Sequence, residues 1–336
     1  MLFFRCCVAN EGKIREPEGG RIQFRSSHHR SISPVSDSRS DTEVSFFEKH
    51  EFAIRRLHSL TGIVPLGLYM VVHLTTNASL LNGPETFQRA VFMIHSPGPL
   101  LPLIEWAFIF LPLLFHAILG VWIAKTGRSN SGQYRFANNK RYTWQRWTGM
   151  IGLVYLFLHI MHLHGGFHAK WWIDSISGFG FGMFHPYNAG SSLVTAMDFG
   201  WGIVWPVIYL VGVLSLVYHL ANGLWTAGIT WGVWISPEAQ QRATKVCVAF
   251  GIVLSVISLA AWAGAVIPGE EEAQAMEQVE NRMYEAGVAA GMVPENPEKR
   301  TQHHDQADQS PESGDAEGEN DGPAAETAMT EFNPAS

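Results

Sequence analysis

Residues 101–124 have the sequence LPLIEWAFIFLPLLFHAILGVWIA, an apolar run whose only ionisable side chains are Glu105 and His116. About 20 such residues, each rising about 1.5 Å along a helix, cross the hydrocarbon core of a bilayer. The chain contains five runs of this kind, at residues 57–76, 101–124, 147–164, 202–225 and 246–266. The sequence therefore predicts an all-α membrane protein, a bundle of five transmembrane helices.

Composition divides the 336-residue chain into three parts. It is 47% hydrophobic overall, but 17 of its 30 acidic residues follow Pro268, together with only three of its 23 basic residues. We interpret residues 1–45 as a disordered polar extension, residues 46–267 as the transmembrane domain, and residues 268–336 as an acidic, largely disordered tail with a short helix near 270–286. This composition excludes a soluble globular enzyme and a nucleic-acid-binding protein, and three cysteines cannot build a disulfide framework.

Charge predicts the orientation in the membrane. The loop between the second and third spans has no acidic residue and six basic ones, Lys125, Arg128, Arg135, Lys140, Arg141 and Arg146. Basic loops stay on the cytoplasmic side of a membrane. We expect a multi-pass protein of the cell inner membrane, with a cytoplasmic N-terminus and the acidic tail outside.

Histidine is the unusual residue inside the spans, because ionisable side chains in a bilayer are costly and usually functional. His73, His116, His159 and His219 each lie in one of the first four spans. The pattern H-x₃-G-x-W begins at both His116 and His219, and a Thr-Gly pair precedes both His73 and His159. The repeats and the depths along the helices predict an inner pair, His116 with His219, and an outer pair, His73 with His159.

Two neutral imidazoles with no carboxylate or thiolate beside them suit the axial positions of a haem iron. Zinc would require a third or fourth ligand. We therefore expect two stacked b haems, and interpret Arg56 and Arg146 as partners for their propionates. His162 is a rival to His159 as a ligand, and any single intramembrane histidine could instead form an interhelical hydrogen bond.

Five segments then point to one family: RRLHSLTG at 55–62, FLPLLFH at 110–116, GQY at 132–134, QRWTG at 145–149 and HLANGLW at 219–225. Between about Phe46 and Val266 the chain resembles the single-chain, two-haem cytochrome b subunit of succinate:quinone oxidoreductase (succinate dehydrogenase or fumarate reductase). The resemblance implies two bis-histidine haems b and a quinone site. It assigns His116 and His219 to the haem nearer the iron–sulfur subunit, and His73 and His159 to the distal haem.

The resemblance also implies a role and partners. The chain would dock through its cytoplasmic face onto a flavoprotein (FAD) subunit, where succinate is oxidised, and an iron–sulfur subunit. It would itself be the membrane-anchoring, electron-transferring subunit of that enzyme, with menaquinone or a similar quinone as substrate in the lipid.

Quinone chemistry also moves protons, so titratable groups near the membrane surfaces are candidates for the site. Glu105, near the outer surface, is our candidate for proton exchange with a quinol. His58 and Ser59 are candidates for an inner quinone or propionate site. Two alternative functions remain at this stage: a two-haem subunit of another quinone-linked enzyme, such as a hydrogenase or formate dehydrogenase, and a haem-free, proton-coupled transporter.

Overall fold

The computed structural model describes residues 46–127, 137–166, 170–198, 200 and 202–301. Within these ranges the chain is helical and forms no β-strand. The α-helices are α1 Phe46–Ile63, α2 Pro65–Ala78, α3 Pro84–His95, α4 Leu101–Glu105, α5 Leu111–Thr126, α6 Ala137–His159, α7 Lys170–Ser177, α8 Ala189–Asp198, α9 Val204–Thr230, α10 Pro237–Val266 and α11 Glu270–Ala289. The extension at 1–45, the GQY segment, Arg128 and Arg135 lie outside the described residues.

Among the described residues, five helical stretches are long and apolar enough to cross a membrane: Lys49–Asn82, Gly98–Thr126, Asn139–His164, Val204–Thr230 and Pro237–Val266. They confirm the five predicted spans. All five are longer than predicted, because apolar sequence marks only the part of a helix inside hydrocarbon. Backbone hydrogen bonding continues into the polar turns on either side.

Three of the spans are not regular α-helices. The first is divided at Val64, because Pro65 begins α2 and a proline has no N–H for the helical ladder. The second and third contain π-helical turns, at Trp106–Phe110 and Ile160–His164. The second of these turns ends the third span, and the backbone N–H groups of residues 182–184 donate to the carbonyls of residues 161–163 at 3.0–3.1 Å. These contacts fix the end of the helix that carries His159.

The two ends of the bundle differ in character. We name one the basic end, because the span-terminal residues Arg55, Arg56, Arg141 and Arg146 lie there, and the other the cap end. At the cap end α3, α8 and α11 pack on one another and on the ends of the spans; we call these three helices the cap. Leu193 and Met197 of α8 share one buried cluster with Tyr155 and Tyr209 of the spans. The cap is therefore continuous with the core of the bundle.

The chain after Pro268 departs from its predicted character. The helix expected near 270–286 is present as α11, but it is a packed part of the fold rather than a fragment of a disordered tail. Glu280, Asn281 and Tyr284 are all buried against the cap. The described chain thus continues through α11 to Thr301, beyond the boundary predicted at 268; residues 302–336 lie outside the described part of the chain.

The reason for this departure is chemical. The buried face of α11 repeats every three or four residues, as in any packed helix, but it consists of Ala273, Glu280, Asn281, Tyr284 and Gly287. These side chains are small or polar, and the helix is held largely by hydrogen bonds. A search for hydrophobic periodicity does not detect such a face.

The buried carboxyl of Glu280 predicts a pH-dependent cap. Burial raises the pKa of Glu280 from its ordinary value of 4.5 to about 7, while hydrogen bonds from Ser191 and Gly190 act in the opposite direction and Glu277 adds to the rise. The folded cap thus holds this proton more tightly than the unfolded chain does. The contribution of Glu280 to the free energy of unfolding should be fully present below pH 4.5 and be lost as the pH rises through about 7.

Melting temperatures of the purified protein between about pH 5 and 8 measure this effect. We expect Glu280→Gln, which cannot ionise, to lose this component of the pH dependence. Glu285→Gln, an exposed position on the same helix, should keep the wild-type slope. Equal slopes for Glu280→Gln and the wild-type protein would contradict the assignment.

Candidate functional site

A cavity of about 500 Å³ runs through the bundle from the basic end to the cap end. All five spans and α8 contribute to its wall, which is mainly apolar. The four intramembrane histidines line it, together with His58 and Arg146 toward the basic end and Glu105 toward the cap end. The cavity thus connects the four predicted ligand histidines with candidate residues at both of its ends.

The first pair of histidines, His116 on α5 and His219 on α9, lies toward the basic end. Their ring centroids are 6.1 Å apart and their planes are nearly perpendicular, at 88°. His116 Nδ1 lies 2.9 Å from the carbonyl oxygen of His58, and His219 Nδ1 lies 3.0 Å from that of Gln145. Because a carbonyl oxygen only accepts, Nδ1 carries the proton in both rings and Nε2 keeps its lone pair. Each ring is therefore prepared to act as a ligand through Nε2.

Glycine makes room for both rings. A Cβ on Gly62 would lie 2.4 Å from His116 Cε1, and a Cβ on Gly149 would lie 2.8 Å from His219 Cε1. In each case the accepting carbonyl belongs to the residue four positions before the glycine, one helical turn away. The Thr-Gly repeat thus has a structural meaning: each Thr-Gly helix supplies a carbonyl and a bare surface to the histidine of an H-x₃-G-x-W helix.

The second pair, His73 on α2 and His159 on α6, lies toward the cap end. Their ring centroids are 5.9 Å apart at an interplanar angle of 84°. The hydroxyl of Tyr69 approaches His73 Nδ1 at a long 3.4 Å. His159 Nδ1 is buried with no hydrogen-bond partner among the described residues, and its ring packs against Tyr155 and Tyr209. Aromatic packing therefore positions His159, whereas hydrogen bonds position the first pair.

The spacing of both pairs fits one metal ion between two imidazoles. A metal–nitrogen bond is about 2 Å long and the nitrogen lies about 1 Å from the ring centre, so two such rings have centroids about 6 Å apart. No group of three or more His, Cys, Asp or Glu within the described ranges is placed to hold a metal. The donor set at each level is thus two imidazoles in an apolar cavity, which is the set that a bis-histidine haem uses.

The two predicted propionate partners occupy different positions. Arg56 is not among the cavity-lining residues; its guanidinium packs against Trp231 and donates to the Thr230 carbonyl at 3.2 Å. Arg146 does line the cavity, and its terminal nitrogens donate to the carbonyls of Gly127 and Ile123, each at 2.9 Å. Of the two, only Arg146 is therefore placed toward a cavity-bound group.

His58 and Ser59 both line the cavity at the basic end. The His58 ring stacks on that of His116, with centroids 4.0 Å apart and planes 14° from parallel, and the Ser59 hydroxyl accepts a hydrogen bond from Trp231 Nε1 at 3.1 Å. Glu105 lies at the opposite end of the cavity, half-buried and directly before the π-helical turn of the second span. The two candidate quinone positions are therefore at opposite ends.

His162, the rival to His159, is fully buried but does not line the cavity. Its ring stacks on Trp205 with centroids 3.7 Å apart, and Nδ1 lies 2.9 Å from the hydroxyl of Tyr209. Tyr209 in turn contacts the His159 ring. This placement favours His159 over His162 as the residue facing His73.

Several residues of the site were not predicted from the sequence. Gln145 lay within a quoted motif, but its role as acceptor for His219 and its side-chain hydrogen bond from Asn222, at 2.8 Å, were not foreseen. Tyr69, Tyr155 and Tyr209 gave no signal, because an aromatic residue in an apolar span resembles ordinary packing.

The sequence matches no protein-family model. It is 35% identical, over 214 residues, to the succinate dehydrogenase cytochrome b558 subunit of Bacillus subtilis (strain 168). The match covers 63% of this chain and 95% of that protein.

Gly149→Ala tests the support of the pair nearer the basic end. The added Cβ would meet His219 at 2.8 Å, and the ring cannot move away without losing its bond to the Gln145 carbonyl. We expect an overpacking cost of about 1–3 kcal/mol and a weakened optical signal from a haem at this pair alone. In Gly264→Ala the nearest atom would be at 3.4 Å, an ordinary contact, so it serves as the matched control. Equal spectra for the two variants would contradict this role for Gly149.

Proposed function

The chain belongs to the family of succinate dehydrogenase cytochrome b subunits, and on that premise we propose that it anchors the enzyme in the membrane as a two-haem cytochrome b. In this role it transfers electrons between the iron–sulfur subunit and a membrane quinone. One observation carries the proposal. Two pairs of histidines line one cavity at two different levels, and within each pair the ring centroids are about 6 Å apart.

Haem b would be held by His116 with His219 toward the basic end, and by His73 with His159 toward the cap end. Iron bound in this way supplies one-electron redox chemistry. The His58 and Gln145 carbonyls hold the basic-end imidazoles in the neutral tautomer with Nε2 directed away from them. The apolar wall excludes water, which strengthens the influence of every nearby dipole. Arg146 would contact a propionate; Arg56 would do so only after leaving Trp231.

The cap-end part of the cavity is the quinone position that we favour. Glu105 lines it, and a carboxylate there can accept a proton from a bound quinol or return one to a quinone. His58 and Ser59 provide the alternative position at the basic end, although His58 already stacks on His116. Menaquinone or a similar quinone, entering from the lipid, would be the substrate.

The partners follow from family membership and charge. We place the iron–sulfur subunit, and the flavoprotein (FAD) behind it, at the basic end, which would face the cytoplasm. The cap and the acidic C-terminal part would then lie on the outer side of the cell inner membrane. The chain itself would be a non-catalytic subunit for succinate, and its own task would be binding haem and quinone.

Both alternative functions are less well supported. A subunit of a hydrogenase or formate dehydrogenase would share the histidine pairs, but the relative is a succinate dehydrogenase subunit. A proton-coupled transporter typically binds its substrate at one site near the middle of the membrane. Two separated histidine pairs, each with its own supporting residues, fit two redox centres better than one transport site.

Alanine substitution of each histidine tests the pairing. In the purified complex, His116→Ala and His219→Ala should abolish the same reduced haem signal, and His73→Ala and His159→Ala should abolish the other, because removing either axial ligand removes the site. Exposed His50→Ala, at a position that does not line the cavity, is the control and should retain both haems. Loss of different signals from the two members of a pair would refute the assignment.

Glu105→Gln tests the proposed proton exchange. The substitution keeps the size of the side chain and removes its ability to ionise, so quinol turnover should fall by about 10²- to 10⁴-fold if Glu105 transfers the proton. Haem content and spectra should be unchanged. Exposed Glu85→Gln is a control on the same side of the protein. Wild-type turnover in Glu105→Gln would remove this residue from the mechanism.

A further inference from the structure

Helix α8 begins with backbone N–H groups that need acceptors, since the first turn of a helix cannot satisfy its own donors. Two other cap helices supply them. The side-chain oxygen of Gln88 on α3 accepts from Ala189 N at 2.9 Å. Glu280 on α11 accepts from Gly190 N at 2.6 Å, from the Ser191 hydroxyl also at 2.6 Å, and from Ser191 N at 3.4 Å. The start of α8 is therefore held by side chains from elements about a hundred residues away in the sequence.

The Glu280 contact is closely fitted. Its side chain is 0% exposed. A Cβ on Gly190 would lie 2.9 Å from Glu280 Oε1, so the approach of the carboxyl to the backbone depends on the absence of a side chain at position 190. A negative or partly negative group at a helix N-terminus is also favoured by the helix dipole.

The rest of the C-terminal segment reinforces the same anchor. Asn188, immediately before α8, donates through its side chain to Asn281 at 2.9 Å and accepts from Thr301 N at 3.1 Å. The Tyr284 ring packs on Tyr187, with centroids 4.9 Å apart. Residues 270–301 thus contact both the start of α8 and the residues immediately before it.

Helix α8, whose start is held in this way, also forms part of the cavity wall. Leu193 and Met197 of α8 line its cap-end part, and they belong to the buried cluster that contains Tyr155 and Tyr209. Those two tyrosines are the residues that pack against the His159 ring. A displacement of α8 would therefore change the wall against which His159 is positioned.

We propose that Glu280 is a positioning residue for the cap-end histidine pair: by holding the start of α8, it fixes the wall of the cavity where His159 and the quinone are bound. The inference rests on the proposed function and extends it to the chain after Pro268. Glu280 touches neither His159 nor the cavity, so it acts through α8.

The test compares variants of the assembled complex. Glu280→Ala removes both acceptors, and we expect it to speed hydrogen exchange of the Gly190 and Ser191 amides by about tenfold. It should also raise the quinone KM by about tenfold. The midpoint potential of the cap-end haem, identified as the signal that His73→Ala removes, should shift while that of the other haem stays constant.

Two further variants separate positioning from general stability. Glu280→Gln can still accept from Gly190 N and can donate to the Ser191 hydroxyl, losing only the 3.4 Å bond from Ser191 N. It should therefore restore most of the cap-end potential and of the quinone KM. Glu285→Ala changes an exposed carboxylate on the same helix and should match the wild-type protein in every measurement. If Glu280→Ala fails to assemble, Ser191→Ala, which removes one hydrogen bond, should give the same changes in smaller size.

The outcomes are distinguishable. Wild-type values for the cap-end potential and the quinone KM in Glu280→Ala, or in Ser191→Ala where that variant replaces it, would overturn the proposal and leave the proposed function intact. Equal shifts of both haem potentials would also overturn it, because they would indicate a general loss of structure. A wild-type complex without two haems would refute the proposed function, and the inference with it.

Discussion

The site depends on holding a neutral imidazole inside a membrane so that one of its nitrogens, Nε2, stays available to bind a metal ion. At the basic end the solution is a carbonyl oxygen on a neighbouring helix, followed one turn later by a glycine. The carbonyl accepts a hydrogen bond from Nδ1–H of the histidine, and the glycine lets the ring approach the backbone closely. Because the arrangement occurs twice, for His116 and for His219, the two rings meet at nearly a right angle with room for one metal ion between them.

Much of the fold and of the site could be predicted from the sequence, for two physical reasons. Apolar length identifies the spans, because nothing shorter crosses hydrocarbon and nothing strongly charged is tolerated inside it. The repeated patterns around His116 and His219, and before His73 and His159, reflect repeated packing against a helix backbone. Such packing leaves a signature in local sequence, namely a histidine, a glycine and a fixed spacing.

The parts that could not be predicted are held by contacts with no local signature. Glu280 lies in a strongly acidic segment that resembles a solvated one, yet its side chain is fully buried and bonded to Gly190 N. The displacement of Arg56 from the cavity depends on Trp231, a residue 175 positions later, whose ring lies beside its guanidinium.

The two histidine pairs differ in a way that bears on their chemistry. Hydrogen bonds to backbone carbonyls orient both rings of the basic-end pair, so their positions are set within the spans themselves. His159 has no such bond in the described part of the chain, and Tyr155, Tyr209 and the adjoining wall of α8 determine where its ring lies. Hydrogen bonding and burial around an axial ligand tune the potential of the iron it binds. Two haems with the same ligands would therefore differ in potential, and the cap would influence only the one near the quinone.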